Sequence, residues 1–254
     1  VRGSCAWLGW PKHLEPELLR WVHANWEATR SGELERTAQV ASWYNDIITS
    51  LLNYRRENDV DDVTSQLMTD TSLGRPLTDE EITSILRNWT GGDLGSMALC
   101  VGVVIAYLAD HPDLQKHLRD GVSDAEWKAI LDEVLRMDDP FLANRRVATS
   151  DTHLDDVKVE KGQRLRLNWT AANTDPAVFS ENQFDPFGHA EQNLVYGIGR
   201  HVCPGRDLAT MQLQAIIEAV LAQTSEIKAD PDLPRVRSEA PAGGYASVPV
   251  LLRG

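Results

Sequence analysis

The sequence predicts a mainly α-helical fold with small β-sheets. Up to residue 140, apolar residues recur at helical spacing, and recognisable caps separate the runs. Beyond that point, short alternating runs lie around glycine-bearing turns. A glycine-rich loop around one cysteine, directly ahead of a last apolar helix, gives the fold a focus. The 254 residues read as a single domain, helical over 1–140, with hairpins, the cysteine loop and the final helix over 141–254.

Residues 1–12 carry Gly3, Gly9 and Pro11 and read as an irregular lead-in. In 15–29, Leu18, Leu19, Trp21, Val22 and Trp26 recur at helical spacing, and Ser31-Gly32 ends the run. A second helix over 33–56 turns Val40, Trp43, Ile47, Leu51 and Leu52 inward, and a short third covers 61–68. The charges at Arg55, Arg56, Glu57, Asp59, Asp61 and Asp62 read as a solvated connection. Thr78 and Glu81 form a capping box that opens a long helix to about Asp110. His111-Pro112 stops it, Pro112 opens a helix to about Gly121, and Ser123 or Asp124 caps another through Met137. Next, 157–159 and 164–167 alternate around Lys161-Gly162 as a hairpin, and 173–194 shows no sustained period. After the cysteine loop and the apolar run 208–221, a second hairpin pairs 236–238 with 247–252 around Gly243-Gly244.

Twenty-five Lys and Arg against 38 Asp and Glu give a formal charge of -13, which excludes the basic footprint that nucleic acid requires. The same balance opposes an anionic membrane surface. The run 97–109 is too short to span a bilayer and reads as a core helix. Cys5, Cys100 and Cys203 are odd in number and far apart, so no disulfide framework is expected. With no signal peptide in 1–10, the expected location is cytoplasmic.

The stretch 195–209, VYGIGRHVCPGRDLA, sets Cys203 among Gly197, Gly199 and Gly205. Without Cβ atoms, the backbone can approach something large and flat. The free N–H groups and positive end of the helix that follows suit an anionic sulfur, and Arg200 and His201 suit anionic groups on the same ligand. A buried structural cysteine and a nucleophilic one are the alternatives that the residues themselves leave open.

The loop resembles the haem-ligand motif of the cytochrome P-450 family, F-x-x-G-x-[RH]-x-C-x-G, with Tyr196 in the Phe position. Gly199, His201, Cys203 and Gly205 match outright. The resemblance implies a P-450-like fold lacking its N-terminal helices, with haem b (iron protoporphyrin IX) as cofactor. It makes Cys203 the axial iron ligand, His201 a propionate contact, and Tyr196, Gly197, Gly199 and Gly205 part of the cofactor's surroundings. Arg146, in RRVATSD, matches the R-x-A-T-x-D arginine that binds a propionate, for which a planar fork suits.

The glycines of TGGDLG, including Gly92, break an otherwise good helical sequence and call for a groove or close packing. The segment resembles the family's distal-helix motif [AG]-G-x-[DE]-T and puts Asp93 in the acid position, which serves proton delivery. The alcohol position is Leu94, which has no hydroxyl, and an alcohol restored there is expected to raise reductase-driven turnover. Glu133 and Arg136 match E-x-x-R, the buried pair that braces the cysteine loop. The family's further arginine ahead of that loop has no counterpart, and His189 is the expected substitute. Asn173, in AANTDP, echoes the family's A-N-R-D-P.

The branch whose haem domains are often fused to a reductase is the nearest in flavour, on NWTGGDL and NLVYG. The implied function is insertion of oxygen into a small organic substrate, driven by an external redox partner or by peroxide. The competing expectation is a truncated haem-binding module or weak relic that needs a partner chain. Because the family's N-terminal part is not in this sequence, a homo-oligomer (a dimer) is expected to cover the apolar surface left open.

Overall fold

Three of the first four helices fall where the apolar period places them, and the caps explain their ends. The computed structural model describes residues 1–180, 183–240 and 242–254. They fall into two compact units, Val1–Ser96 and Met97–Gly254.

In the first unit, α2 (Glu15–Ser31) opens with a proline in its first turn and closes at Gly32, whose φ of 70° is left-handed. Helix α3 (Leu34–Glu57) buries Tyr44, Ile47, Ile48, Leu51, Leu52 and Arg55, a continuous stripe at three- and four-residue spacing. Asp62 caps α4 (Val63–Met68) by accepting from the Ser65 N–H. The lead-in differs from expectation. Residues Arg2–Leu8 form helix α1, because Gly9 terminates it in the left-handed region and Cys5 and Leu8 are buried in the unit's core. The charge run also differs. Arg55 continues the buried stripe of α3, pairs with Asp62 and donates to the Leu51 and Gly9 carbonyls, so that end of the run is inside.

The capping box is present as read: the Thr78 N–H donates to Glu81 at 2.8 Å and the Glu81 N–H to Thr78 Oγ1 at 3.3 Å. The helix it opens, α5, runs unbroken over Asp79–Asp110, and by length and composition alone it could cross a membrane. Its Ile82, Leu86 and Leu94 belong to the first unit's core and its Cys100, Val103, Val104 and Leu108 to the second's. Gly95 explains one of the motif's glycines, since a Cβ there would sit 3.1 Å from Trp26 Nε1. This is close helix packing.

In the second unit, α6 (Pro112–Asp120) and α7 (Asp124–Met137) follow, the latter capped by Ser123 accepting from the Glu126 N–H. Together with α9 (Arg206–Gln223) they enclose a core that includes Trp127, Ile130, Leu131, Val134, Leu213 and Ile217. Strand pairing corrects the first expected hairpin and divides the second, whose 236–237 pairs with 245–247 around Gly243-Gly244 while 250–253 goes to another strand. β1 (Ala143–Val147) pairs with β4 (Arg164–Asn168), and β2 (Thr152–Leu154) with β3 (Val157–Val159), so Gly162, at φ 88°, turns between strands that are not partners. At the end of the chain, β5 (Glu226–Ala229) pairs with β8 (Val250–Arg253), and β6 (Val236–Arg237) with β7 (Tyr245–Ser247). Alternation locates a strand but names no partner. The irregular stretch 173–194 begins at the end of a short helix, α8 (Trp169–Asn173), and its residues 181 and 182 lie outside the described ones.

Candidate cofactor site around Cys203

Cys203 lies between a 3-10 turn (Gly199–His201) and the first residue of α9. Its N–H donates to the Tyr196 carbonyl at 2.8 Å, closing the loop on itself. Gly197 and Gly199 both adopt φ 72°, which a side chain would strain, and nothing lies within 4 Å of a Cβ built at Gly199. Gly205 caps α9, and a Cβ there would stand 4.0 Å from Cys203 Sγ. Of the three thiols, Cys5 and Cys100 are buried and Cys203 is partly exposed. Burial raises the Cys5 thiol and pushes Cys100 up to about 12, which leaves both protonated and inert.

Beside the sulfur, Ile198 and Val202 are 70% and 45% exposed, and Arg200 and His201 are exposed on the same turn. A free thiol, exposed aliphatic side chains and cations at the rim fit a flat apolar ligand with acidic edges. These residues therefore fit a haem. Tyr196 is tucked in: its hydroxyl meets Thr210 Oγ1 at 3.3 Å, the Arg206 guanidinium lies 5.2 Å from its ring centroid, and burial raises its phenol.

The chain ahead of the loop is braced from α7. Glu133 and Arg136 are fully buried and paired bidentately, at 2.7 and 2.8 Å. Arg136 also donates to the Asn173 and Gln183 carbonyls and lies 4.3 Å over the Phe179 ring. His189 Nδ1 stands 2.7 Å from Glu133 Oε1 and the Asp185 N–H donates to the same oxygen at 3.1 Å. Histidine therefore occupies the place expected for it. Burial raises the Glu133 carboxyl, but the bonds from Arg136, His189 and Asp185 outweigh it and hold the group below its ordinary value. Asn173, fully buried, donates to Asp139 at 3.2 Å and accepts the Leu194 N–H at 2.8 Å.

The remaining candidates are distributed differently. Arg146 is exposed on β1 and donates to the Arg145 carbonyl at 2.9 Å; no hydrogen bond among the described residues joins it to the loop. Gly92 and Asp93 lie in the first unit, where the Ser4 hydroxyl donates to Asp93 Oδ2. Leu94 is buried in that unit's core and Ser96 bonds back to the Gly92 carbonyl, so neither supplies an alcohol to the Asp93 carboxylate. Sequence reasoning missed Asp132, which is buried on α7 and paired with Arg206 at 2.5 Å, and it gave Asn173 no task. An acidic residue before E-x-x-R and an arginine after the loop's last glycine were the signals available.

Residues 127–237 match the family described as Cytochrome P-450. The 2-hydroxy-5-methyl-1-naphthoate 7-hydroxylase of Streptomyces carzinostaticus is 30% identical over the whole of this chain. Family match and relative alike support a cytochrome P-450. A steroid C26-monooxygenase of Mycobacterium tuberculosis is 27% identical over 86% of the chain. The open cytochrome P-450 EryK from S. erythraea superposes with a TM-score of 0.84 at 25% identity, covering 98% of this chain and 65% of that one. The chain spans 62% and 59% of the two curated relatives' lengths. The mainly α fold with small sheets is the P-450 fold over the part present.

Proposed function

We propose that this chain is the haem-binding part of a cytochrome P-450-type monooxygenase or peroxygenase acting on a small organic substrate. The observation that carries the reading is Cys203, the partly exposed thiol of the three, held in a glycine-lined loop that follows a segment braced by the buried Glu133–Arg136 pair. Haem b, when bound, supplies the oxidising chemistry, and a thiolate ligand favours O–O cleavage. Cys203 Sγ ligates the iron. Gly197, Gly199 and Gly205 admit the macrocycle's face and Tyr196 backs the loop. Arg146, an exposed cation, and His201, an exposed imidazole, take the propionates.

Asp93 holds the acid's place, its Oδ2 already engaged by the Ser4 hydroxyl, and Gly92 leaves the helix surface open beside it. Electrons come from an external redox partner, or peroxide replaces both partner and dioxygen. Relatives named monooxygenases and hydroxylases support oxygen insertion as the reaction class. The acidic balance, -13, opposes nucleic acid and anionic membranes as partners, and a cytoplasmic setting agrees with it. Exposed Leu19, Leu34 and Tyr54 on the first unit's helices support a homo-oligomer, which a strictly monomeric species at about micromolar concentration would refute.

Carbon monoxide added to the reduced, haem-loaded chain is the decisive test. A strongly red-shifted Soret band is expected, and Cys203→Ser should abolish it while leaving the protein folded. A wild-type band at the ordinary haem position would sink the assignment. A second reading, a haem-binding module with weak turnover, is favoured by the burial of Leu94. Product formed with peroxide or with a reductase and NAD(P)H separates the two.

A further inference from the structure

The brace on Glu133 and Arg136 holds the chain well before the thiol, and a second arrangement on the same helix holds the loop itself. Asp132 uses two groups. Its backbone carbonyl accepts from Asn193 Nδ2 at 2.9 Å, and its carboxylate Oδ2 accepts from Arg206 Nη2 at 2.5 Å. Asn193 in turn accepts the Val195 N–H at 2.9 Å, where the chain enters the loop. Arg206 is the first residue of α9, where the chain leaves it, and its guanidinium covers the ring of Tyr196, whose carbonyl holds the Cys203 N–H. One buried residue thus ties both ends of the segment that carries the thiol.

Stability alone does not account for this pair. A cation in the first turn of a helix opposes the helix dipole. Asp132 Oδ1 and Arg206 Nε are buried with no hydrogen-bond partner among the described residues, and unpaired buried polar atoms cost stability. Asp132 is buried while the Arg206 side chain is 40% exposed, and such a half-buried ion pair is weak evidence for stability, better explained by the geometry it enforces.

On the reading that Cys203 ligates iron, we infer that Asp132 and Arg206 are positioning residues that clamp the cysteine loop at its base and fix the direction of the sulfur. A built-in control lies on the same two helices. Lys128 and Asp207 form a second α7–α9 pair at 3.0 Å, but their side chains are 41% and 91% exposed and neither reaches the loop's entry.

The experiment follows the carbon monoxide complex of the full, reduced, haem-loaded chain in mild urea, timing conversion of the red-shifted Soret band to the ordinary one. Asp132→Asn and Arg206→Gln should each speed conversion about tenfold, the double variant no more than either alone, and Arg206→Lys should recover part of the loss. Lys128→Gln should convert at the wild-type rate. The clamp is overturned if Asp132→Asn and Arg206→Gln match wild type, or if Lys128→Gln accelerates conversion as much as they do. If wild type itself shows no shifted band, the iron-ligand reading fails separately. Thiol labelling of the haem-free chain then decides the clamp, because Cys5 and Cys100 are buried. Faster labelling of Cys203 in Asp132→Asn than in Lys128→Gln sustains it, and equal rates overturn it.

Discussion

Replacing Glu133 by glutamine tests whether the buried pair on α7 organises the second unit. The carboxylate accepts Arg136 Nε on one oxygen, and Arg136 Nη2, His189 Nδ1 and the Asp185 N–H on the other. A glutamine keeps the shape, but its amide NH2 turns toward donors and its charge is gone. Arg136, fully buried, then keeps its bonds to the Asn173 and Gln183 carbonyls and its place over the Phe179 ring, but loses the Glu133 carboxylate. Breaking a buried pair by removing one partner costs roughly 3–5 kcal/mol. For a unit of this size that lowers Tm by on the order of 10 °C. Urea unfolding followed by tryptophan fluorescence reads it directly, since Trp127 is in the affected core. His189→Ala removes one hydrogen bond to a charged group and should cost less, about 1.5–3 kcal/mol. The dependence on pH has a sign. Glu133 is held below its ordinary 4.5, so its contribution is complete above that value and is lost as the pH falls below it. A Glu133→Gln protein within about 1 kcal/mol of wild type at pH 7 would refute the reasoning, because taking the carboxylate out of a buried, bidentate pair cannot be that cheap.

Asp139 has the opposite sign. Burial pushes its carboxyl from 3.8 up to about 6, so its ionisation works against the fold as the pH rises through that interval, by roughly 3 kcal/mol at 1.36 kcal/mol per pKa unit. Asp139→Asn should therefore flatten the loss of stability between pH 4 and 7, and an unchanged pH profile counts against this. Gly243→Ala should destabilise strongly, by about 3 kcal/mol or more in urea unfolding. Its Cβ would stand 2.2 Å from the Asp139 carbonyl oxygen and 3.0 Å from the Pro140 carbonyl carbon, which are backbone atoms and cannot swing aside. Leu94→Thr should cost about 2–3 kcal/mol by burying a hydroxyl in an apolar core, with no gain in reductase-driven turnover. A gain in product per NAD(P)H would show that position 94 reaches the chemistry.

Much of the fold and of the loop is legible in the amino-acid sequence. The stripe on α3, the capping box at Thr78 and the Ser123 cap are local, and local signals survive translation into three dimensions. The cysteine loop is legible because glycine at positive φ and a thiol before a helix are properties of the segment itself. Strand partners are not, since β1–β4 and β5–β8 pair across intervening chain and alternation carries no address. Helix α1 is hidden by Gly3 within it, Gly9 at its end and Pro11 beyond it. Arg55 looks like surface because a charge run gives no sign that one member continues a buried face.

The feature least visible in the sequence is the reason for so much buried charge on α7. Between Gln183 and Gly205 the chain has little regular structure, so its N–H groups lack a ladder and must find partners singly. Side chains supply several of them. Glu133 takes the Asp185 N–H, Asp185 that of Gly188, Asn173 that of Leu194 and Asn193 that of Val195. Asp132, Glu133 and Arg136 each then hold a different part of the same segment. A hydrophobic α7 could pack the core as well, but it would leave those groups unpaired and the thiol's position undefined. The polar residues of α7 thus act on the loop more than on the helix. Substitution of Asp132, the member that reaches the loop itself, should disturb the sulfur's surroundings before it disturbs the helical core.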